Sequence, residues 1–165
     1  FMAPKENMLA VRNVFWQHYR GHRTGAYSKM NNNSKILVVD DFEMMRFQMK
    51  KELSASGYTN IVEAEDGSVA MDTLLAAMEA KPFDIIFCDW NMPKFSGLEV
   101  LEFCRSLPAY QKIPFIMVTA EAEQEAVVKA IKAGANDYIV KPIAGEALQA
   151  RLKSIFLRLV SARAA

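Results

Sequence analysis

Ile36-Leu-Val-Val-Asp-Asp41 decides the fold: four apolar residues in a row, with no polar alternation, run directly into two carboxylates. A run this short has no face to offer water, which is how a strand covered on both sides of a parallel sheet reads. The pattern recurs in Ile85-Ile-Phe-Cys-Asp89, Phe115-Ile-Met-Val-Thr119 and Tyr138-Ile-Val-Lys141. Ligands of such sheets bind beyond the carboxyl ends of the strands. Asp40, Asp41, Asp89, Thr119 and Lys141 are therefore predicted to gather at one edge. Acids crowded there repel one another, and that repulsion invites a hard divalent cation such as magnesium.

Between the runs the period changes to that of helices. Residues 43–54 repeat apolar side chains at Met45, Met49 and Leu53 and stop at Gly57. A strand near 60–64 leads through the turn Glu65-Asp66-Gly67 to a helix over 68–80 carrying Val69, Met71, Leu74, Leu75 and Met78. The 91–97 loop precedes a helix with Leu98, Leu101 and Phe103, and Pro108 and Pro114 bracket the next connection. The fourth strand is expected to end at Val118. A helix over about 123–133, capped by Gly134, precedes the fifth strand, and a last helix covers 145 to about 160. Five strand–helix units predict an α/β fold: a doubly wound, flavodoxin-like (βα)5 sandwich with parallel sheet order 2-1-3-4-5. The switch point of that order lies between strands one and three, where Asp40, Asp41 and Asp89 would meet.

A chain of 165 residues holds one domain with a proper core and an appendage. Hydrophobic residues at 52% and charged residues at 24% are close to globular values, and no apolar stretch is long enough for a membrane span. No membrane insertion and a cytoplasmic location are expected. Cys88 and Cys104 form no CxxC pair, so packed, reduced thiols are expected rather than a zinc site. Residues 1–34 carry five Lys/Arg against one Glu, and the remainder fifteen against eighteen acids. The basic charges lie dispersed among Trp16, Tyr19 and His22, so a solvated extension is favoured over a nucleic-acid arm. The domains expected are an N-terminal extension, 1–34, and a main domain, 35–165. The extension has Met8, Val11, Phe15 and Tyr19 at helical spacing over about 6–20, then a linker ending in Asn31-Asn-Asn-Ser34. It could pack on the domain, contact a second subunit or stay loose, and a loosely attached helix is the favoured reading.

Val38-Val-Asp-Asp-Phe42, Cys88-Asp-Trp-Asn-Met-Pro93, Val118-Thr-Ala-Glu-Ala122 and Val140-Lys-Pro142, in this order and spacing, resemble the receiver domain of two-component response regulators. Within that family the chain is most similar to the chemotaxis regulators, from Lys35 to about Leu159. The resemblance implies that Asp89 is the phosphoacceptor, forming an aspartyl phosphate. It implies a Mg²⁺ site made by Asp41, Asp89 and the backbone carbonyl of Asn91, with Asp40 acting through a coordinated water. Lys141, preceding Pro142 in what is commonly a cis peptide, would direct its ammonium at the phosphoryl oxygens. Thr119 and Tyr138 would couple phosphorylation to shape, and Asn91 and Glu121 would tune dephosphorylation. Ala122, Tyr138 and Arg151 would contribute to a partner surface. The implied partners are a sensor histidine kinase and a flagellar motor switch protein, with no nucleic acid: little chain follows the last helix, so the output is expected to be a protein contact. Residues 1–34 and a second helix about one turn longer depart from the family pattern.

Three rival readings bear on the same residues. A haloacid dehalogenase-type phosphatase would want a second Asp two positions after its nucleophile, and Asn91 stands there. A non-phosphorylated interaction module often lacks an acid, the Thr or the Lys, all of which are present. A phosphate sink or phosphorelay intermediate without motor binding keeps all the chemistry, and beyond the motor-like partner surface nothing in the residues separates it.

Overall fold

The computed structural model describes residues 31–120, 123–142 and 144–161. Five parallel strands form one sheet in the order β2-β1-β3-β4-β5: β1 Ile36–Val39, β2 Ile61–Ala64, β3 Ile85–Cys88, β4 Phe115–Thr119 and β5 Asp137–Val140. Among the described residues five α-helices alternate with them: α1 Glu43–Ala55, α2 Gly67–Ala80, α3 Gly97–Ser106, α4 Gln124–Ala133 and α5 Gly145–Ser161. The expected order and switch point are both found. The extension predicted over 6–20 lies outside the described residues, and no described helix is long and apolar enough to cross a membrane.

Side chains alternate across each strand, and the sheet divides the core accordingly. Leu37, Val39, Ile86 and Cys88 face a layer with Leu74 of α2, Leu101 of α3 and Val127 of α4. Ile36, Val38, Ile85 and Phe87 face the opposite layer with Leu53 of α1 and Leu152 and Phe156 of α5. Both faces being covered, the central strands need no polar positions, which explains the unbroken apolar runs.

Local chemistry sets the helix ends. Asp66 caps α2 by accepting from the Val69 N–H at 2.9 Å. Ser96 and Glu99 form a reciprocal capping box on α3. Gly134 closes α4 at φ 100°, a left-handed conformation glycine adopts without Cβ strain. Two features differ from expectation. β4 continues through Thr119, because its backbone still pairs with β5. A 3₁₀ turn, Pro108–Tyr110, fills the connection before β4, and Tyr110, fully buried, donates its hydroxyl to the Leu74 carbonyl at 2.9 Å. That anchor pairs residues distant in sequence, and no local pattern announces it.

Candidate functional site

Parallel register brings the predicted residues together. Val39 aligns with Cys88, so Asp40 and Asp89 each stand one step beyond a matched pair, and the Asp89 N–H donates to the Val39 carbonyl at 2.9 Å. At the next crevice Thr119 aligns with Val140, and the Lys141 N–H donates to the Thr119 carbonyl at 2.8 Å. The Lys141–Pro142 peptide is cis, as the resemblance implied. Carboxylate oxygens of Asp40, Asp41 and Asp89 lie within 4.8 Å of one another. Asp40 and Asp89 are buried, at 5% and 7% exposure, while Asp41 is exposed.

Lys141 balances this charge. Its Nζ lies 2.6 Å from Asp40 Oδ2 and 3.4 Å from Asp89 Oδ2, with the side chain only 14% exposed. The other Asp40 oxygen accepts from the Phe42 N–H at 2.9 Å, and Asp89 Oδ1 accepts from the Trp90 N–H at 2.8 Å. Thr119, fully buried, hydrogen-bonds the Asp89 carboxyl. Burial pushes the Asp89 carboxyl above the usual carboxylate range; Lys141 pulls it back, the Asp40 charge adds to the rise, and the Thr119 and Trp90 hydrogen bonds oppose it. The result is a carboxylate oxygen pair held beside a cation and a hydroxyl.

The remaining predicted residues divide. Asn91 is exposed in the loop directly after Asp89. Tyr138 is buried, at 4% exposure, and its carbonyl accepts from Arg151 Nη2 at 3.1 Å. Arg151 is also bound to the Asp137 carboxylate at 2.7 Å, and Arg158 pairs with the other oxygen of the same carboxylate. Arg151 is therefore part of a clamp between β5 and α5 as well as a half-exposed surface residue. Glu121 and Ala122 lie outside the described residues.

Four supports were not anticipated from sequence. Gly97 donates its N–H to the Trp90 carbonyl at 2.8 Å, and a Cβ there would stand 2.0 Å from the Asp89 carbonyl oxygen, so the loop closes on the Asp89 backbone only with glycine. A Cβ on Gly67 would meet the Phe95 carbonyl at 2.3 Å in the same loop. Lys94, at φ 67°, reaches Asp66 at 2.6 Å, and with the Val69 amide holds that carboxyl below its usual range. Arg46 of α1 donates to the Asp40 carbonyl at 2.8 Å. Glycines opening two helices were the one available signal. Cys88 and Cys104 are free and buried, with burial pushing the Cys104 thiol up to about 12.

Comparison with known proteins agrees with this geometry. The response regulator receiver domain family matches residues 36–153. Chemotaxis protein CheY-3 of Vibrio cholerae is 41% identical over 130 residues, covering 79% of this chain and 97% of that protein. The structure of the chemotaxis response regulator CheY4 of Vibrio cholerae superposes with a TM-score of 0.65 at 32% identity, covering 74% of this chain and 98% of that one. The receiver domain of a sensor histidine kinase from Pseudomonas aeruginosa, solved with a magnesium ion coordinated in its active-site cleft, superposes with a TM-score of 0.66 at 26% identity, covering 78% and 98%. The motifs, the 2-1-3-4-5 sheet and the match over most of the chain lead to one conclusion: this protein belongs to the response regulator receiver domain family.

Proposed function

We propose that the chain is a chemotaxis response regulator of the cytoplasm, switched by phosphorylation of Asp89. The observation that carries this reading is the convergence of Asp89, Thr119 and Lys141 with two further carboxylates at one strand edge. The donor set fits magnesium: three hard carboxylates have oxygens within 4.8 Å of one another, and Asp41 is open to solvent. Asp41, Asp89 and the Asn91 carbonyl would hold the ion, with Asp40 acting through a water, and when bound it would neutralise charge on phosphoryl oxygens.

The chain's own residues supply the remainder. An Asp89 carboxylate oxygen attacks the phosphorus of a phosphohistidine in a sensor kinase, the O–P bond forming as the N–P bond breaks and the imidazole takes up a proton. Lys141, 3.4 Å from Asp89, stabilises the negative charge that arrives. Thr119 turns from the Asp89 carboxyl to a phosphoryl oxygen, and buried Tyr138 follows the space vacated. Asn91 and Glu121 control the water that later hydrolyses the acyl phosphate. The output is a contact made by α4, β5 and α5, including Ala122, Tyr138 and Arg151, with a flagellar motor switch protein as the partner favoured by likeness to chemotaxis regulators. Phosphorylation acts there by favouring the partner-binding state.

The test is phosphoprotein mass and Trp90 fluorescence after addition of Mg²⁺ and acetyl phosphate. Magnesium-dependent gain of one labile phosphoryl group, absent in Asp89→Asn, is the expected result. Ion binding without labelling would overturn the reading in favour of a binding module. Labelling without phosphorylation-dependent capture of a motor switch protein would favour a phosphate sink.

A further inference from the structure

The loop between β3 and α3 contains one residue in an unfavourable backbone shape. Lys94 has φ 67°, alone among the described non-glycine residues in being positive. The Phe95 N–H donates to the Pro93 carbonyl at 2.9 Å, so Lys94 is the centre of a three-residue turn of the γ type with positive φ, which is rare and strained. Glycine or asparagine ordinarily takes a positive φ. A lysine persists there only when its surroundings hold it.

Asp66 supplies that hold from the turn before α2. Lys94 Nζ donates to Asp66 Oδ2 at 2.6 Å, while Asp66 Oδ1 accepts from the Val69 N–H at 2.9 Å. Asp66 is only 5% exposed, so one buried carboxylate is shared between the first turn of α2 and the loop. An ion pair between two exposed side chains contributes little. This carboxylate, however, is already fixed by the helix amide and does not turn away to water. The loop meets the same helix end a second time, where the Phe95 carbonyl lies 2.3 Å from the place a Cβ on Gly67 would take. The Gly97 N–H, bonded to the Trp90 carbonyl at 2.8 Å, closes the loop at its base. Inside that closure Asn91 is exposed, and Met92 packs on the core. Burial of its own side chain therefore does not orient the Asn91 carbonyl; the conformation of the loop does.

We propose that Lys94, held by Asp66, is a positioning residue for magnesium, resting on the ion site proposed above: the pair keeps the β3–α3 loop in the conformation in which the Asn91 carbonyl joins Asp41 and Asp89 as a ligand. Magnesium demands near-ideal octahedral geometry at roughly 2.0–2.1 Å, so a carbonyl on a loosened loop is a poor ligand. A loop free to leave the strained turn must be ordered again when the ion binds, and that ordering subtracts from affinity. Neither Lys94 nor Asp66 touches the ion in this arrangement, and the acid cluster remains Asp40, Asp41 and Asp89.

The test is magnesium titration of the full chain followed by Trp90 fluorescence, with Trp16→Phe removing the other tryptophan. Lys94→Met should weaken binding about ten-fold, the low end for loss of a group that orients a metal ligand. The sign is decisive, because removing a nearby cation by itself favours the binding of another; unchanged or tighter binding would overturn the proposal. Lys94→Arg keeps the charge and a donor and should bind as the parent does. Lys94→Gly relaxes the turn but loses the tie, so it should weaken binding as Lys94→Met does; parental affinity there would overturn the role of the pair and assign the loop's shape to the turn alone. Asp66→Asn retains a capping oxygen for Val69 and loses the charge. It should match Lys94→Met, and the double variant should be no weaker than either single; additive losses would mean that the two residues act independently and would overturn the pairing. Acetyl phosphate labelling of Lys94→Met should slow at low magnesium and recover at saturation; a deficit that saturation leaves in place would mark a general defect and count against positioning. A parent that binds no magnesium would overturn the proposed function together with this inference, whereas a parent that binds it, with Lys94→Met unaffected, would overturn this inference alone.

Discussion

Asp89 is surrounded by groups that pull its proton affinity in opposite directions, and burial prevails. A carboxyl whose folded value is raised binds its proton more tightly than in the unfolded chain. Its contribution therefore favours folding at low pH, and that advantage is lost as pH rises from the usual carboxylate range through the raised value. Metal-free Asp89→Asn should accordingly be more stable than the parent at pH 7, and the difference should shrink toward zero below pH ~3.5, under the unperturbed carboxylate values. Urea unfolding in the presence of a chelator measures both ends; a constant difference across the range would contradict the account. Gly97 yields a second expectation at this scale. Gly97→Ala drives a Cβ into the Asp89 carbonyl, where backbone must shift, so a loss of about 1–3 kcal/mol is expected, the range for overpacking. Slower phosphoryl uptake should accompany it, because the displaced carbonyl belongs to Asp89, the proposed phosphoacceptor; denaturant titration and a labelling time course measure the two effects separately.

Among the elements, β5 and α5 are joined by more than packing. Asp137, 3% exposed at the start of β5, receives Arg151 and Arg158 from one side of α5, and Arg151 also bonds the carbonyl of Tyr138. A buried carboxylate with two partners tolerates the loss of one. Arg151→Ala or Arg158→Ala alone should cost about 1.5 kcal/mol, the lower end for a hydrogen bond to a charge. Removing both leaves the carboxylate uncompensated and should cost about 3–5 kcal/mol, more than the two singles together. A double-mutant cycle by urea unfolding decides it. The clamp also means that motion of Tyr138 would be felt at α5, the element proposed to carry the signal outward. The strand ends and helix periods behind this arrangement were legible: the apolar runs, Gly134 and the helix over 43–54 all lie within a residue or so of the observed elements. The clamp itself was not, since Asp137, Arg151 and Arg158 follow no local pattern and meet only after β5 and α5 dock.

At the scale of the molecule, one sheet separates two apolar layers and couples them. Leu74 in one layer and Leu152 in the other are both fully buried. Each truncation to Ala should cost about 2–5 kcal/mol. Because the sites share no partners the costs should add, and both should lower a single cooperative transition rather than one of two. Thermal and urea melts followed by near- and far-ultraviolet circular dichroism test this; separated transitions would mean the layers unfold independently. The site belongs to the same scale, as it is assembled from β1, β3, β4 and β5, and its geometry depends on the register of all four.

By itself the sequence determined the number and order of the strands, the parallel sheet and the edge at which Asp40, Asp41, Asp89, Thr119 and Lys141 meet. The strand number and the edge follow from periodicity and from the rule that ligands of a parallel sheet bind beyond its carboxyl ends, and the order is a common doubly wound arrangement of such units; all of these are local or topological. Only the tertiary structure decided which oxygens Lys141 contacts, that burial raises Asp89, that Gly97 and Gly67 admit the β3–α3 loop, and that Arg151 is tied to Asp137. Those depend on distances of a few ångströms between residues tens of positions apart, and such distances are set by packing, which no window along the chain encodes.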